Sequence, residues 1–314
     1  MIQIENLIKF YGEHPAVDGI SFEIPLGQIV GFLGPNGAGK TTTMRMLTGY
    51  LTPTGGTAKI LGLDVTENPI EIRQKIGYLP EMNPVYEDMI IPEYLEFVAG
   101  IRKLDKNKIK ERIIEVAKLC GLTNVLHQNI GELSRGYKQR VGFAAAIFHD
   151  PQVLILDEPT SGLDPNQARD VRELIKELKK EKTVILSTHI LSEVQAICDR
   201  VLIINRGRIV ADGTTKELAC MVQNKEKVHL ELLNREEKLN PSEIEEKLKA
   251  FNGCENAAFT GQKENKITFE IESSIDLRED IFLAAVKNKW VITDMHRQVV
   301  TLEEIFRKLT SEAI

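Results

Sequence analysis

The spacing of hydrophobic and polar residues along this 314-residue chain follows one pattern up to about residue 220 and a different pattern after it. In the first part, short β-branched runs that are apolar on both faces are separated by longer amphipathic stretches with a helical period. Such runs predict strands covered by helices above and below, because both faces of the strand then meet apolar neighbours. The predicted buried strands are 29–33, 153–156, 184–187 and 201–204. We therefore expect an α/β unit over 1–220 with a mainly parallel sheet.

The amphipathic stretches predict the helices of this unit. One runs over 166–180, after Pro165, a residue that suits the first turn of a helix. The stretch from about 84 to 149 is mostly helical by pattern, with helices expected at 92–104, 106–120 and 136–149. We interpret it as a helical insertion in the α/β unit.

The second part, 221–314, is predicted to be a small α+β domain. It follows a short helix near 215–219 and a polar segment at 223–227 that we interpret as a linker. The predicted elements are strands at 228–233, 254–260, 267–271 and 290–295, and helices at 242–251 with Ser242 as N-cap, 276–289 and 302–309. The order β-α-β-β-α-β, before the closing helix, suggests a ferredoxin-like unit.

Composition narrows the class of protein. With 42% apolar residues the chain can fold without covalent staples, and its four cysteines are far apart with no C-x-x-C pair. Neither a zinc site nor a disulfide framework is suggested, which fits a reducing cytosolic compartment. We expect no secretory signal and no membrane span, because the longest apolar runs are far below the roughly 18 residues a span needs. The net charge of −6 weighs against nucleic acid as a partner.

A glycine-rich loop between the first buried strand and a helix start is the main candidate for chemistry. It has the pattern G-x-x-x-x-G-K-T, in which glycines let the backbone N–H groups turn toward an anion. The helix N-terminus that follows also favours phosphate, Lys40 can reach the β- and γ-phosphates, and the Thr41 hydroxyl can ligate Mg²⁺. The predicted nucleotide-binding residues here are Gly34, Pro35, Asn36, Gly37, Ala38, Gly39, Lys40, Thr41 and Thr42.

Two further motifs complement the loop. Asp157 and Glu158 follow an apolar strand and should emerge at its carboxyl end, where ligands of open α/β sheets bind. We assign Asp157 to Mg²⁺ and Glu158 to the general base, the alternative being acids that cap the next helix. Ser134 and Gly136 stand at a predicted helix start and offer a second anion site, the alternative being an ordinary serine N-cap.

These motifs, with Asp164 in Ser-Gly-Leu-Asp and with His189, occur in the order and approximate spacing of an ATP-binding cassette. Residues 1–220 resemble the nucleotide-binding subunit of an ABC transporter. The resemblance implies a P-loop NTPase core in which an antiparallel β edge accompanies the mainly parallel sheet. The resemblance implies that two chains close head to tail over two ATP molecules, so that the loop of one faces Ser134 and Gly136 of the other. It further implies that Asp164 lies at the dimer seam, that His189 contacts the γ-phosphate, and that Tyr11 stacks on adenine. The alternative for Tyr11 is a core aromatic.

The chain departs from the family pattern at two places. Where the family commonly has L-S-G-G-Q, this chain has Leu133-Ser-Arg-Gly-Tyr137, which keeps the phosphate-facing serine and glycine. Glu81, in Gly-Tyr-Leu-Pro-Glu, stands where the family usually has glutamine. Its carboxylate still offers an oxygen to the Mg²⁺ shell, but adds a negative charge beside Asp157 and Glu158. We interpret Glu81 as a functional variant.

The resemblance favours the ATPase subunit of an exporter: a homodimer docked on a separate multispanning permease, at the cytoplasmic face of the cell membrane. Segments 77–81, 133–137 and 301–306 resemble cassettes that pair with ABC-2 permeases, including the cassette of bacterial gliding-motility machinery. The alternative, from a second functional class, is a soluble cassette ATPase that acts on ribosomes or nucleic acid. A kinase that acts on a small molecule is a third hypothesis. The segment 133–137, which contains Ser134, argues against it.

Overall fold

The fold is described from a computed structural model, which covers residues 1–179, 181–222, 226–233, 239–298 and 302–311. The chain divides into two compact units, Met1–Thr215 together with the chain from Leu309, and Lys216–Lys308. The division falls five residues before the boundary predicted at 220.

A six-stranded sheet forms the centre of the first unit. Its order is β10-β9-β3-β8-β7-β6, and every neighbouring pair is parallel except β10 with β9. The strands are β3 (Ile29–Leu33), β6 (Ile76–Leu79), β7 (Val153–Asp157), β8 (Thr183–Thr188), β9 (Arg200–Asn205) and β10 (Arg208–Gly213). Every residue of β3, β7 and β8 is buried, as expected for strands covered on both faces. The predicted α/β class with a mainly parallel sheet is confirmed.

A second sheet of the first unit is antiparallel, with the order β2-β1-β4-β5. Its strands are β1 (Ile2–Tyr11), β2 (His14–Ile24), β4 (Gly55–Ile60) and β5 (Leu63–Asp64). This sheet is the antiparallel edge of the expected fold class. Its apolar face and helix α1 (Lys40–Leu47) pack together with one face of the central sheet, and one buried cluster joins them.

The remaining helices of the first unit are α2 (Pro69–Lys75), α3 (Ile91–Ile101), α4 (Ile109–Leu119), α5 (Arg135–Ile147), α6 (Pro165–Leu178) and α7 (Leu191–Ile197). Helix α8 (Thr215–Val222) begins at the boundary, and all of its residues after Thr215 belong to the second unit. Helices α3, α4 and α5 form the helical insertion and share a buried core with α6 and the other face of the sheet. A 3₁₀ turn at Lys106–Lys108 precedes α4, so the helix predicted from 106 begins three residues later.

The second unit contains β11 (Glu226–Leu233), α9 (Pro241–Lys249), β12 (Cys254–Lys263), β13 (Lys266–Ser273), α10 (Arg278–Asn288) and β14 (Ile292–Gln298), and α11 is Leu302–Ser311. The strand order is β12-β13-β11-β14 and all neighbouring pairs are antiparallel, which is the arrangement of a ferredoxin-like unit. The fold class predicted for this part is therefore confirmed.

Two details of the second unit differ from the sequence predictions or fall outside the description. Ser242 as the N-cap of α9 is wrong: the cap is Asn240, whose side chain accepts a hydrogen bond from the Ser242 N–H at 3.1 Å. Of the predicted linker, 223–225 lie outside the described residues and Glu226 and Lys227 open β11. Thr301, the first residue of the segment 301–306, also lies outside the described residues. None of the described helices combines the length and the hydrophobicity that a membrane-spanning helix requires.

Candidate active site

The glycine-rich loop joins the end of β3 to the start of α1, as the sequence predicts. Gly37 and Gly39 have φ of 78° and 105°, in the left-handed region that favours glycine. A Cβ at Gly39 would lie 2.4 Å from the Ala16 carbonyl oxygen, and one at Gly34 would lie 2.5 Å from the Ile204 carbonyl oxygen. The glycines therefore allow both the turn of the loop and its close packing on neighbouring backbone.

Lys40 begins α1 and is folded back over the loop. Its Nζ donates hydrogen bonds to the carbonyl oxygens of Gly34 at 2.8 Å and Pro35 at 3.2 Å, and lies 3.4 Å from the Glu158 Oε1. The side chain is buried. The amine is thus positioned inside the loop, where a bound phosphate group would meet it.

Glu158 follows the last residue of β7 and takes an uncommon backbone conformation. Its φ is 49°, and backbone strain of this kind in a residue other than glycine costs on the order of 1–3 kcal/mol. The neighbouring strand β8 stabilises the turn, because the Glu158 N–H donates to the Ser187 carbonyl oxygen at 3.1 Å and to the Ser187 Oγ at 3.0 Å. The carboxylate is thereby held between Lys40 and His189, whose Nδ1 lies 2.9 Å from the Glu158 Oε2.

Asp157 ends β7 and is fully buried below the loop. Its Oδ1 accepts hydrogen bonds from the Thr41 Oγ1 at 3.2 Å and the Ser187 Oγ at 2.5 Å, whereas its buried Oδ2 has no hydrogen-bond donor among the described residues. Burial raises the pKa of the Asp157 carboxyl, and the two hydroxyls oppose the rise. An orphaned carboxylate oxygen beside a threonine hydroxyl fits a hard divalent cation such as Mg²⁺.

These residues surround one cavity of about 450 Å³. It contains most of the predicted site, including Asn36, Thr41, Thr42 and Glu81, together with Lys40, Glu158 and His189. Ser161, the first residue of the Ser-Gly-Leu-Asp motif, also lines it, as does Ala16, which no sequence pattern indicates. Ala38 and Asp157 are buried close to these residues, in the loop and beneath it.

Two further residues have positioning roles that the sequence does not predict. Ser187 joins Asp157 to the Glu158 backbone, as described above, and Glu193 is a buried acid at the start of α7. The Glu193 carboxylate accepts hydrogen bonds from the hydroxyls of Thr160 and Thr188, the second at 2.7 Å. It thereby ties the segment after Glu158 to the end of β8, next to His189. The only sequence signal for it is an acid in the first turn of a short helix.

Ser134, Gly136 and Asp164 do not line the cavity. Ser134 is the N-cap of α5 and Asp164 the N-cap of α6, where its carboxylate accepts hydrogen bonds from the backbone of Asn166 and Gln167. The two helix starts are adjacent, because a Cβ at Gly136 would lie 2.5 Å from the Gln167 side chain. Within a single chain, the segment that contains Ser134 and Gly136 therefore lies outside the cavity that the glycine-rich loop lines. Since Asp164 caps α6, Asp157 and Glu158 do not serve as its cap.

Comparison with known proteins agrees with this geometry. The family model for ABC transporters matches residues 17–161. An uncharacterized ABC transporter ATP-binding protein of Bacillus subtilis, YxlF, is 36% identical over 309 residues, which cover 98% of this chain and 99% of the relative. The chain belongs to the ATP-binding proteins of ABC transporters. It is therefore an ATP-binding and ATP-hydrolysing cassette, and the family resemblance of the sequence is confirmed.

Other relatives match about two thirds of the chain. The bacitracin transport ATP-binding protein BcrA of Bacillus licheniformis is 41% identical over 214 residues, covering 68% of this chain and 69% of the relative. The structure of cbiO1 from Clostridium perfringens, part of the ABC transporter complex cbiONQ, superposes with a TM-score of 0.64 at 30% identity. That match covers 70% of this chain and 90% of cbiO1.

Tyr11 ends β1 of the cassette, outside the cavity. Tyr11 is 51% exposed, and the Lys9 Nζ lies 5.8 Å from the centroid of its ring. The core-aromatic alternative is therefore wrong. An exposed ring beside a cation remains available for stacking on a base.

Glu81 follows β6 and presents its carboxylate to the cavity of the cassette from an exposed position. We predict that Glu81→Gln keeps ATP hydrolysis within a few-fold, because the amide keeps an oxygen that can face the metal shell. Steady-state phosphate release, measured beside Glu158→Gln, checks this prediction. A loss as large as that of Glu158→Gln would show that Glu81 is not equivalent to the usual glutamine.

Proposed function

We propose that this cassette is the ATPase subunit of an exporter, which forms a head-to-tail homodimer over two ATP molecules and drives a separate permease. One observation carries the proposal. Lys40, Glu158 and His189 meet in a single cavity above Thr41 and Asp157, whereas Ser134 and Gly136 stay outside it. The chain thus holds one half of a phosphate site in the cavity and presents a second anion-binding helix start elsewhere.

In the proposed reaction, the loop amides and Lys40 hold the β- and γ-phosphates. Engagement of the Lys40 amine by phosphate weakens its contact with Glu158, whose carboxylate then accepts a proton from the attacking water. The water oxygen forms a bond to the γ-phosphorus as the bond to the β-phosphate oxygen breaks, giving ADP and phosphate. His189 holds the Glu158 carboxylate in position through its Nδ1.

Mg²⁺ is the metal that we propose for this site. Thr41 and Asp157 would hold it, directly or through water, with Glu81 at the edge of its shell. When bound, the Mg²⁺ ion would neutralise negative charge on the phosphate oxygens. The fit rests on the orphaned Asp157 Oδ2 beside the Thr41 hydroxyl.

The second half of the composite site is proposed to come from another copy of the chain. The N-terminus of α5 carries the Ser134 hydroxyl and unpaired backbone N–H groups, which favour a phosphate. Asp164 would lie at the seam, next to Gly136. Tyr11 would stack on the adenine of the ATP held by its own loop.

Export through an ABC-2 permease is the finer part of the proposal. The name of the relative BcrA assigns it to bacitracin transport, and segments 77–81 and 133–137 resemble cassettes of that class. Such a partner would hold the cassette at the cytoplasmic face of the cell membrane. The net charge of −6 does not favour the ribosome or nucleic-acid alternative. Copurification decides between them: ATPase recovered in membranes with a multispanning protein supports export, and cosedimentation with ribosomes contradicts it.

A groove next to the helical insertion is our proposed docking surface for the permease. This groove, of about 710 Å³, is lined by parts of α1, α2, β6, α3 and α5. Large apolar side chains on it are exposed, among them Ile70 and Ile101. Arg45, Arg73 and Arg102 also line it, with no aspartate or glutamate among the described lining residues. We therefore expect the permease to contribute an apolar segment that carries a carboxylate.

Ile101→Glu is predicted to reduce the membrane-bound fraction of the cassette at least about tenfold in cells that express its permease, because it replaces an apolar contact with a charge and competes with the carboxylate of the permease for the arginines of the groove. Ile114→Glu is the matched control, since Ile114 is equally exposed (68% against 64%) but lies on α4 away from the groove. Fractionation and immunoblotting measure the distribution. Equal loss in both variants, or in neither, would contradict this placement of the permease.

A further inference from the structure

Helix α10 of the second unit is apolar on two sides. Ile281 and Ala285 are buried against the sheet, as the packing of the unit requires. On the outer side, Phe282, Leu283 and Val286 are 54%, 58% and 63% exposed. Residues three and four apart are neighbours on a helix surface, so these side chains form one continuous stripe. A contiguous exposed apolar stripe with polar residues at its rim is typical of a contact with another molecule.

Apart from Arg278, the first residue of α10, which forms an ion pair with Asp276, the charges of α10 are separated along its length. Glu279 and Asp280 lie in the first turn, Lys287 lies in the last turn and Lys289 is the C-cap. Within the described part of the chain, neither Glu279 nor Lys287 forms an ion pair. Glu279 precedes Leu283 by one helical turn and Lys287 follows it by one turn. The stripe is therefore flanked by opposite charges at equal distances from its centre.

We propose that this stripe is a self-association surface, and that its occupant is α10 of a second copy of the chain, packed antiparallel across a twofold axis at Leu283. Antiparallel packing places Glu279 of each copy opposite Lys287 of the other and stacks the two stripes. Parallel packing would place like charges together at both ends. The charge pattern therefore selects both the partner and its direction.

The size of the stripe indicates how the contact works. Three side chains per copy fall short of the interface of about 1,200 Å² that a stable pair needs. The proposal rests on the homodimer of the proposed function, in which the cassettes hold two copies together. A second contact in such a dimer forms at an effective concentration of roughly millimolar, so a weak surface can add about 100-fold to the affinity of the pair. The α10 contact would thus tighten the ATP-bound dimer.

Disulfide trapping in the full-length chain tests the proposal. In the Glu158→Gln background with Mg²⁺ and ATP, Leu283→Cys should give a covalent dimer on mild oxidation, because the axis brings the two introduced thiols together. Ile114→Cys, exposed to a similar degree on α4, is the control and should not cross-link. The Glu158→Gln chain without added cysteine measures the background from the native thiols.

Charge reversal tests the direction of packing. Added to Leu283→Cys, Glu279→Lys should reduce the trapped dimer at least about tenfold, because each α10 end then meets a like charge. Adding Lys287→Glu as well should restore it, since the opposite charges are paired again. If Glu279→Lys had only damaged the fold, adding Lys287→Glu would not restore the yield of trapped dimer.

The outcomes separate this inference from the proposed function. If the Glu158→Gln chain dimerises on size exclusion but Leu283→Cys gives no cross-link, the α10 contact is overturned and the ATP sandwich stands. Failure of the Glu158→Gln chain to dimerise contradicts the sandwich itself. Protection of the introduced thiol from a maleimide only in permease-containing membranes, without cross-linking, assigns the stripe to the permease and also overturns the proposal.

Discussion

Glu158→Gln lowers ATP hydrolysis by at least about 100-fold, because the amide cannot accept the proton of the attacking water. Glutamine keeps the shape of the side chain and one oxygen for the contact with His189, so nucleotide binding should persist. The uncleaved ATP then holds two chains together, and dimers accumulate. Phosphate release and size exclusion in Mg²⁺ and ATP measure the two effects.

The control for this variant lies in the same cavity. Glu81→Gln makes the same chemical change on an exposed carboxylate, and it should lose no more than a few-fold. Hydrolysis by Glu158→Gln within a few-fold of the unchanged chain would remove Glu158 from the role of general base. Monomers alone at high protein concentration in ATP would count against the sandwich.

Ser134→Asp is expected to stop hydrolysis without loosening the fold. Aspartate caps a helix about as well as serine, so α5 keeps its N-cap and the melting temperature stays within a few degrees. In the composite site, however, the new carboxylate faces phosphate and replaces a donor with a like charge. Loss of one such donor costs on the order of 100-fold in rate, and added repulsion makes the effect larger.

The matched control is Ser134→Thr, which keeps the hydroxyl and the cap and should keep most of the activity. Binding of ATP to the chain's own loop, followed by fluorescent nucleotide titration of monomers, should change less than a few-fold in both variants. Weakened binding in monomeric Ser134→Asp would mean that Ser134 acts on the nucleotide of its own chain, against the head-to-tail arrangement.

Several parts of the fold and site could be predicted because their causes are local in sequence. The buried strands β3, β7 and β8 are apolar on both faces, and parallel strands end at the same edge, so Lys40, Asp157 and Glu158 were expected to converge. The phosphate loop carries its glycines at the positions where the backbone turns. In these short segments the same residues determine both the local secondary structure and the chemistry of the site.

Other parts depend on contacts between residues far apart in sequence. The strands of the antiparallel sheet do not follow from a local pattern, because β1 is interrupted by register shifts and by Asn6 at a φ of 46°, which break the two-residue period. Glu193 acquires its role only when the chain brings Thr160 beside it. In contrast, the N-cap of α9 was a local error: Asn240 before Pro241 was the better signal than Ser242.

The composite site is the central claim, and a mixing experiment tests it most directly. Lys40→Ala removes the cation of one half-site and Ser134→Asp disables the other half, so each variant alone should be nearly inactive. In an equimolar mixture, about half of the dimers are mixed, and each of these has one intact site and one site with both defects. Hydrolysis should therefore return to about a quarter of that of the unchanged chain, if each intact site works independently. A mixture as inactive as its two components, under conditions where mixed dimers are shown to form, would contradict a site shared between chains.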